Sequence, residues 1–229
     1  MYLDKHYHHP YWGGLRMKPY KLIGNAMAAF LDFSAGVFIV YIGTLAFGYQ
    51  TGILSFFLGG ILGMAPDFDV FYMFWQKNEV YGDHHQFITH RPLFGIILFS
   101  TIGFLFGGTF WAIVAPLCVI WHYIHDTEGF GGGGIAWFWP FSNLYYSPFR
   151  VVHPEQSVMA EEQYRHEEWV ETTWLMPSKT SITEIAIGSI MIGIVSSSIF
   201  DWKTGLFVVV WIWLCVIFMW WLFPHIKTR

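Results

Sequence analysis

Apolar segments of near-bilayer length fill most of this chain and limit what it can fold into. A helix needs about 20 apolar residues to cross a bilayer, within a range of roughly 17–25. Ala26 to Phe47 meets this apart from Asp32, and Ile182 to Phe200 and Gly205 to Phe223 meet it outright. Gly52 to Ala65, Pro92 to Phe106 and Phe110 to Ile124 are shorter, a length that suits core or partly inserted helices as well as spans. Tight turns at Gly48 to Gly52, Phe106 to Thr109 and Phe200 to Gly205 join neighbouring segments in pairs. The expectation is an all-α, polytopic membrane protein of about six apolar helices in three hairpins. Composition points the same way, since only 12% of the residues are charged where a soluble domain carries about 25%. Too little polar surface is left to cover a globule, so lipid has to cover part of it.

Charge placement sets an expected orientation. With the N-terminus in the cytosol, Lys5, Arg16, Lys18, Lys21, Lys77, Arg91, Arg150, Arg165, Lys179, Lys227 and Arg229 fall on the cytosolic side and only Lys203 falls outside. That asymmetry follows the rule that cytoplasmic loops carry the excess of Lys and Arg. Both termini and both long loops, Pro66 to Arg91 and Asp126 to Thr180, then face the cytosol, in the inner (plasma) membrane of a bacterial or archaeal-type cell. The first twenty residues hold no apolar stretch of the kind a cleaved signal peptide needs. One membrane domain over 1–229 is expected, with an interfacial segment at 1–24 rich in Tyr, Trp and His, a core at 25–150, an acidic cytosolic helix at 151–180 and a transmembrane hairpin at 181–229. The acidic helix, Glu155 to Met176, reads as solvated or partner-facing, with Met159, Tyr164, Trp169 and Trp174 near one face. Cys118 and Cys215 lie inside apolar runs and read as small buried hydrophobes. No Lys/Arg cluster points to nucleic acid.

Ionisable groups beside membrane segments are costly to bury and tend to be functional. Here they gather in three places: Pro66-Asp67-Phe68-Asp69, the run His84 to Arg91, and Trp121 to Asp126. In a hairpin topology all three reach one face, which brings five histidines and three aspartates to one level. His122 and Asp126 are four apart, so on a helix they point the same way, and a neutral imidazole and a carboxylate can share a metal ion. Asp67 and Asp69 sit on a turn and can bridge two ions, and a turn between His85 and His90 can aim both inward. His84 and His125 lack such spacing and read as outer or interfacial groups. Nitrogen and carboxylate donors without thiolate favour zinc, manganese or iron over copper(I).

PDFD, then H-x-x-x-T-H at His85 to His90, then W-H-x-x-x-D-T at Trp121 to Thr127, a glycine-rich stretch and W-F-W-P-F at Trp137 to Phe141 together resemble the YdjM-like family. That family comprises inner-membrane-associated proteins regarded as metal-dependent hydrolases, and is itself similar to the zinc phospholipase C and single-strand nuclease superfamily. The resemblance spans about Gly24 to Phe149. It implies Asp67, His85, His90, His122 and Asp126 as metal ligands and Asp69 as ligand or base. The chain departs from the family pattern in three places. Gly24-Asn25 stands where a histidine is usual, Gln86 replaces an arginine, and Arg91 replaces a serine. Asp32 or one of His6, His8 and His9 is available to replace the absent histidine.

The expected activity is therefore metal-dependent hydrolysis of a phosphoester in a membrane lipid or lipid-linked substrate, with zinc the first choice of cation and manganese or iron the alternatives. Arg91 is expected to offset phosphate charge. A membrane di-iron lipid oxidase is the competing enzyme class, although its dense histidine boxes are absent. A non-catalytic metal-binding, transport or structural protein is the third, and Asp32 inside the first apolar helix is the feature that favours transport.

Overall fold

The computed structural model describes residues 19–69, 87–127, 134–147, 150–152 and 170–227. Within them the chain is almost entirely helical. Helix α1 (Pro19–Ala28) opens with a proline, whose fixed φ and missing N–H are tolerated at a first helical position. It runs into α2 (Phe30–Phe47) across Ala29 alone, so the first apolar run is two helices rather than one. Helix α3 (Ile53–Gly63) follows a short loop and spans about 16 Å at 1.5 Å per residue. That is well short of a hydrocarbon core about 30 Å thick.

The α2–α3 contact positions everything that follows. A Cβ on Gly36 would strike the backbone carbonyl of Gly59, and one on Gly63 would strike that of Asp32. The two backbones therefore touch, as small residues allow between apolar helices. The end of α3 is pinned against the first turn of α2, and Pro66 then stops the helix and starts a 3₁₀ turn, Ala65–Phe68.

Helix α4 (Pro92–Thr127) is a hairpin of two arms broken at Gly108, where φ is 68° and ψ −160°. A residue with a Cβ is strained there and glycine is not. Gly103 and Gly107 press directly on Trp111, whereas in a straight helix residues 103 and 111 would lie about 12 Å apart. Helices α5 (Lys179–Ile199) and α6 (Trp202–Lys227) complete the set. A capping box of Ser178 and Ser181 begins α5, and Asp201 accepts from the backbone N–H groups of Lys203 and Thr204 at the start of α6.

Among the described residues, Phe30–Phe47, Lys179–Ile199 and Trp202–His225 are helices long and apolar enough to cross a membrane, and Pro92–Thr127 is equally apolar but divided at Gly108 into two shorter arms. Large apolar side chains such as Leu54, Phe106, Leu105 and Trp211 point outward, which fits a surface covered by lipid. Inside, Val37, Val40, Phe56, Phe110, Val114, Cys118 and Val195 join α2, α3, α4 and α5 in one core. Cys118 is buried as expected, while Cys215 is exposed on α6.

Two details differ from the sequence reading. Tyr145–Ser147 and Arg150–Val152 form a small antiparallel hairpin, β1 and β2, outside the helical pattern. The far end of the expected acidic helix is a single π-helical turn, Val170–Trp174, that packs inward: Trp174 is buried against Met27, Ile185 and Val216, and Trp220 Nε1 donates to its carbonyl at 2.9 Å. An indole next to an apolar helix pair gains more by burial than by facing water. Residues 155–169 of that segment, residues 1–18 of the expected interfacial stretch, and His84 and His85 lie outside the described residues.

Candidate metal centre

Three separate pieces of chain end at one point. The 3₁₀ turn after α3 supplies Asp67. A second 3₁₀ turn, Ile88–His90, supplies His90 just before Pro92 starts α4. The last turns of α4 supply His122 and Asp126, four residues apart on one face. The donor atoms of Asp67, His90, His122 and Asp126 all lie within 4.8 Å of one another. His122 Nε2 is 3.0 Å from Asp126 Oδ2 and 3.3 Å from Asp67 Oδ1. His90 Nε2 is 3.5 Å from Asp126 Oδ2 and 3.6 Å from Asp67 Oδ1. Donors 2.0–2.2 Å from a tetrahedral zinc ion stand roughly 3.3–3.6 Å apart. The four nitrogen–oxygen separations lie near that value, which suits the cluster to a divalent cation. Both histidines are buried.

Each histidine is fixed from behind. His90 Nδ1 is 2.8 Å from Asp69 Oδ2, and His122 Nδ1 is 3.0 Å from the carbonyl of Gly63. An ionised carboxylate and a carbonyl can only accept, so Nδ1 carries the proton in both rings and Nε2 is left facing the cluster. Metal-ligating histidines are held by this kind of outer contact. Asp69 is anchored in turn by the Thr89 hydroxyl at 2.6 Å, and Tyr123 donates to the Thr89 carbonyl at 2.6 Å.

The electrostatics favour a cation as well. Protein packed around Asp67 pushes its carboxyl up, but the charge of His122 and hydrogen bonds with His122 and His90 outweigh this and hold it well below the usual carboxylate range. Burial pushes His90 down, but hydrogen bonds to Asp126, Asp67 and Asp69 win, and its pKa rises from 6.5 to about 10. Without a cation the ring therefore keeps its proton through neutral pH. A cation must displace that proton to reach Nε2, so acid weakens binding. Apparent cation affinity should rise with pH from about 6 to about 9. Calorimetric titration of metal into the purified protein measures this, and a flat profile would contradict the assignment of His90 to the cluster.

The other expected site residues fall elsewhere. Asp69 stands behind His90 rather than among the four donors. Arg91 is not among the four donors: its guanidinium donates to the Tyr145 hydroxyl at 3.2 Å and lies 5.4 Å from the Tyr145 ring and 6.0 Å from that of Trp139. Asp32 is not among the donors either, and sits behind His122, with Oδ2 3.4 Å from Nδ1. His85 lies outside the described residues. Tyr123 and Tyr145 were not foreseen, and nothing in their spacing marks them out from other aromatic residues of the chain.

No curated protein and no solved structure matches the chain. Residues 27–226 match a family described as YdjM inner membrane protein, a span that takes in α2 to α6 and every donor of the cluster. Asp67, His90, His122 and Asp126 are among the ligands the sequence resemblance implied, and the chain belongs to the YdjM inner membrane protein family.

Proposed function

We propose that this protein is a membrane-bound metal-dependent hydrolase that cleaves a phosphoester of a lipid or lipid-linked substrate. The observation that carries this reading is the set of four donors gathered within 4.8 Å of one another where helices end. Asp67, His90, His122 and Asp126 would hold the cation, with zinc preferred for its tetrahedral habit and His85 proposed as a further ligand. A bound cation of this kind polarises a phosphoryl oxygen and acidifies water.

The chain's own residues do the rest. Asp69 and Gly63 keep both imidazoles aimed inward. Asp67, 36% exposed in its side chain, marks the open side of the cluster. Phe68, Ile88 and Ile124 are exposed on the elements that carry the donors, an apolar setting that suits acyl chains. Arg91 is proposed to pair with a phosphate oxygen. Its guanidinium, braced by Tyr145, can do so without touching the metal. The positive-inside asymmetry supports placing the cluster and both termini on the cytosolic side. Reporter fusions at the two ends check this, and a terminus found outside would overturn it.

A panel of phospholipids and polyprenyl phosphates, assayed in detergent and in liposomes, tests the activity. Turnover should need added zinc or manganese and stop on chelation. Arg91→Ala should raise KM more than it lowers kcat. If metal binds but no phosphoester is cut, the non-catalytic reading takes over, and stoichiometric paired iron would favour an oxidase.

A further inference from the structure

Behind the cluster lies a second group of ionisable side chains, Asp32 buried and His125 and Glu184 half-buried, that the proposed chemistry does not use. Asp32 on α2 is 3% exposed. A carboxylate placed there, inside a helix of membrane length, is costly unless it is paired. Its partners come from one stretch of α4. Trp121 Nε1 donates to Oδ1 at 3.1 Å, and His125 Nδ1 lies 3.1 Å from both oxygens. His122 Nδ1, between them in sequence, lies 3.4 Å from Oδ2. His125 Nε2 then reaches Glu184 Oε2 on α5 at 3.5 Å. One carboxylate of α2 thus gathers three ring nitrogens of α4, and α5 backs the arrangement.

We infer that Asp32 is a positioning residue for His122, with Trp121, His125 and Glu184 holding it in place. The inference rests on the metal-centre reading of the cluster but not on hydrolysis. Gly63 already accepts the His122 Nδ1 proton at 3.0 Å. A carbonyl fixes the ring's direction but carries no net charge. The Asp32 carboxylate beside it adds negative charge behind the ring, which makes Nε2 a stronger donor to a cation in front. Trp121 and His125 keep that carboxylate from turning away, because both hydrogen bonds would break. Glu184 ties α5, and through it the α5–α6 pair, to the same point. Asp32 therefore acts on the metal through His122 rather than by ligating it in place of the histidine the family pattern has near Asn25.

Cobalt(II) is the probe, because its visible absorption reports ligand strength and geometry directly. Wild type, Asp32→Asn, Glu184→Gln and Asp201→Asn are purified in detergent and titrated in competition with a chromophoric chelator. Asp32→Asn keeps the shape and the acceptor for Trp121 but removes the charge. It should bind cobalt about 10- to 100-fold more weakly, with displaced absorption bands and an unchanged melting temperature of the metal-free protein. Glu184→Gln should show a smaller loss in the same direction. Asp201→Asn, at the α5–α6 turn, should match wild type. Wild-type affinity and spectrum in a folded Asp32→Asn protein would overturn the inference. If Asp32→Asn does not fold, Trp121→Phe replaces it: a few-fold loss of affinity with displaced bands supports the role, and wild-type behaviour in both overturns it. A wild-type protein that binds no cobalt would instead remove the metal centre itself.

Discussion

His122→Ala is expected to empty the metal centre and to lower any turnover to background. The ring is wholly buried and touches both carboxylates of the cluster, at 3.0 and 3.3 Å. Its loss removes one of four donors and leaves Asp67 and Asp126 facing each other with less positive charge between them. Removing an outer partner of a metal ligand costs roughly 10- to 100-fold in affinity, and loss of a ligand should exceed that. Asp126→Ala should behave alike, because it deletes the neighbouring donor on the same helix face. His225→Ala is the control, since that ring is exposed and bonded to the Trp221 carbonyl. Metal content by mass spectrometry reads all three variants, and equal metal in each would mean that the cluster is not the site.

Asp69→Asn should have the next largest effect. The carboxylate can only accept, so it holds the His90 proton on Nδ1. An asparagine of the same size can present N–H to that nitrogen, and the proton then moves to Nε2, the atom that faces the cluster. Metal affinity should fall by about 10- to 100-fold. Turnover should fall by about 10²-fold or more if Asp69 also serves in proton transfer. Asp69→Glu, which keeps the charge but shifts the oxygens, should recover part of the affinity. Unchanged metal binding in Asp69→Asn would show that the His90 tautomer is not set from behind.

The sequence made the donors easier to find than their supports. His122 and Asp126 announce themselves because four residues is one helical turn, and the structure keeps them on one face. The pair Asp67 and Asp69 was harder to divide. Successive residues of a 3₁₀ helix are about 120° apart, so two residues two positions apart cannot both face one point. Asp67 turns to the cluster and Asp69 to the back of His90. Arg91 follows His90 directly, yet its guanidinium is engaged by the Tyr145 hydroxyl, a partner 54 residues away that spacing could not reveal. Asp32 was visible as the one acidic or basic residue in the first apolar run. Its partners, 89 and 93 residues away, were not. Glu184 gave no signal, since a lone acidic residue near the start of a helix reads as a partner for the helix dipole. The break at Gly108 was legible because adjacent glycines inside an apolar run mark a turn. The β1–β2 hairpin was not, because its aromatic and β-branched residues blend into a chain that is 21% aromatic.

X-ray absorption at the zinc edge, on protein loaded with one equivalent of zinc in detergent, tests the metal centre most directly. The expected shell contains imidazole nitrogens and carboxylate oxygens at about 2.0–2.2 Å, without sulfur. The imidazole signature should weaken in His90→Ala and vanish with the zinc in His122→Ala. A shell that lacks imidazole, or one unchanged when His122 is removed, would contradict the assignment of Asp67, His90, His122 and Asp126 as the residues that hold the ion.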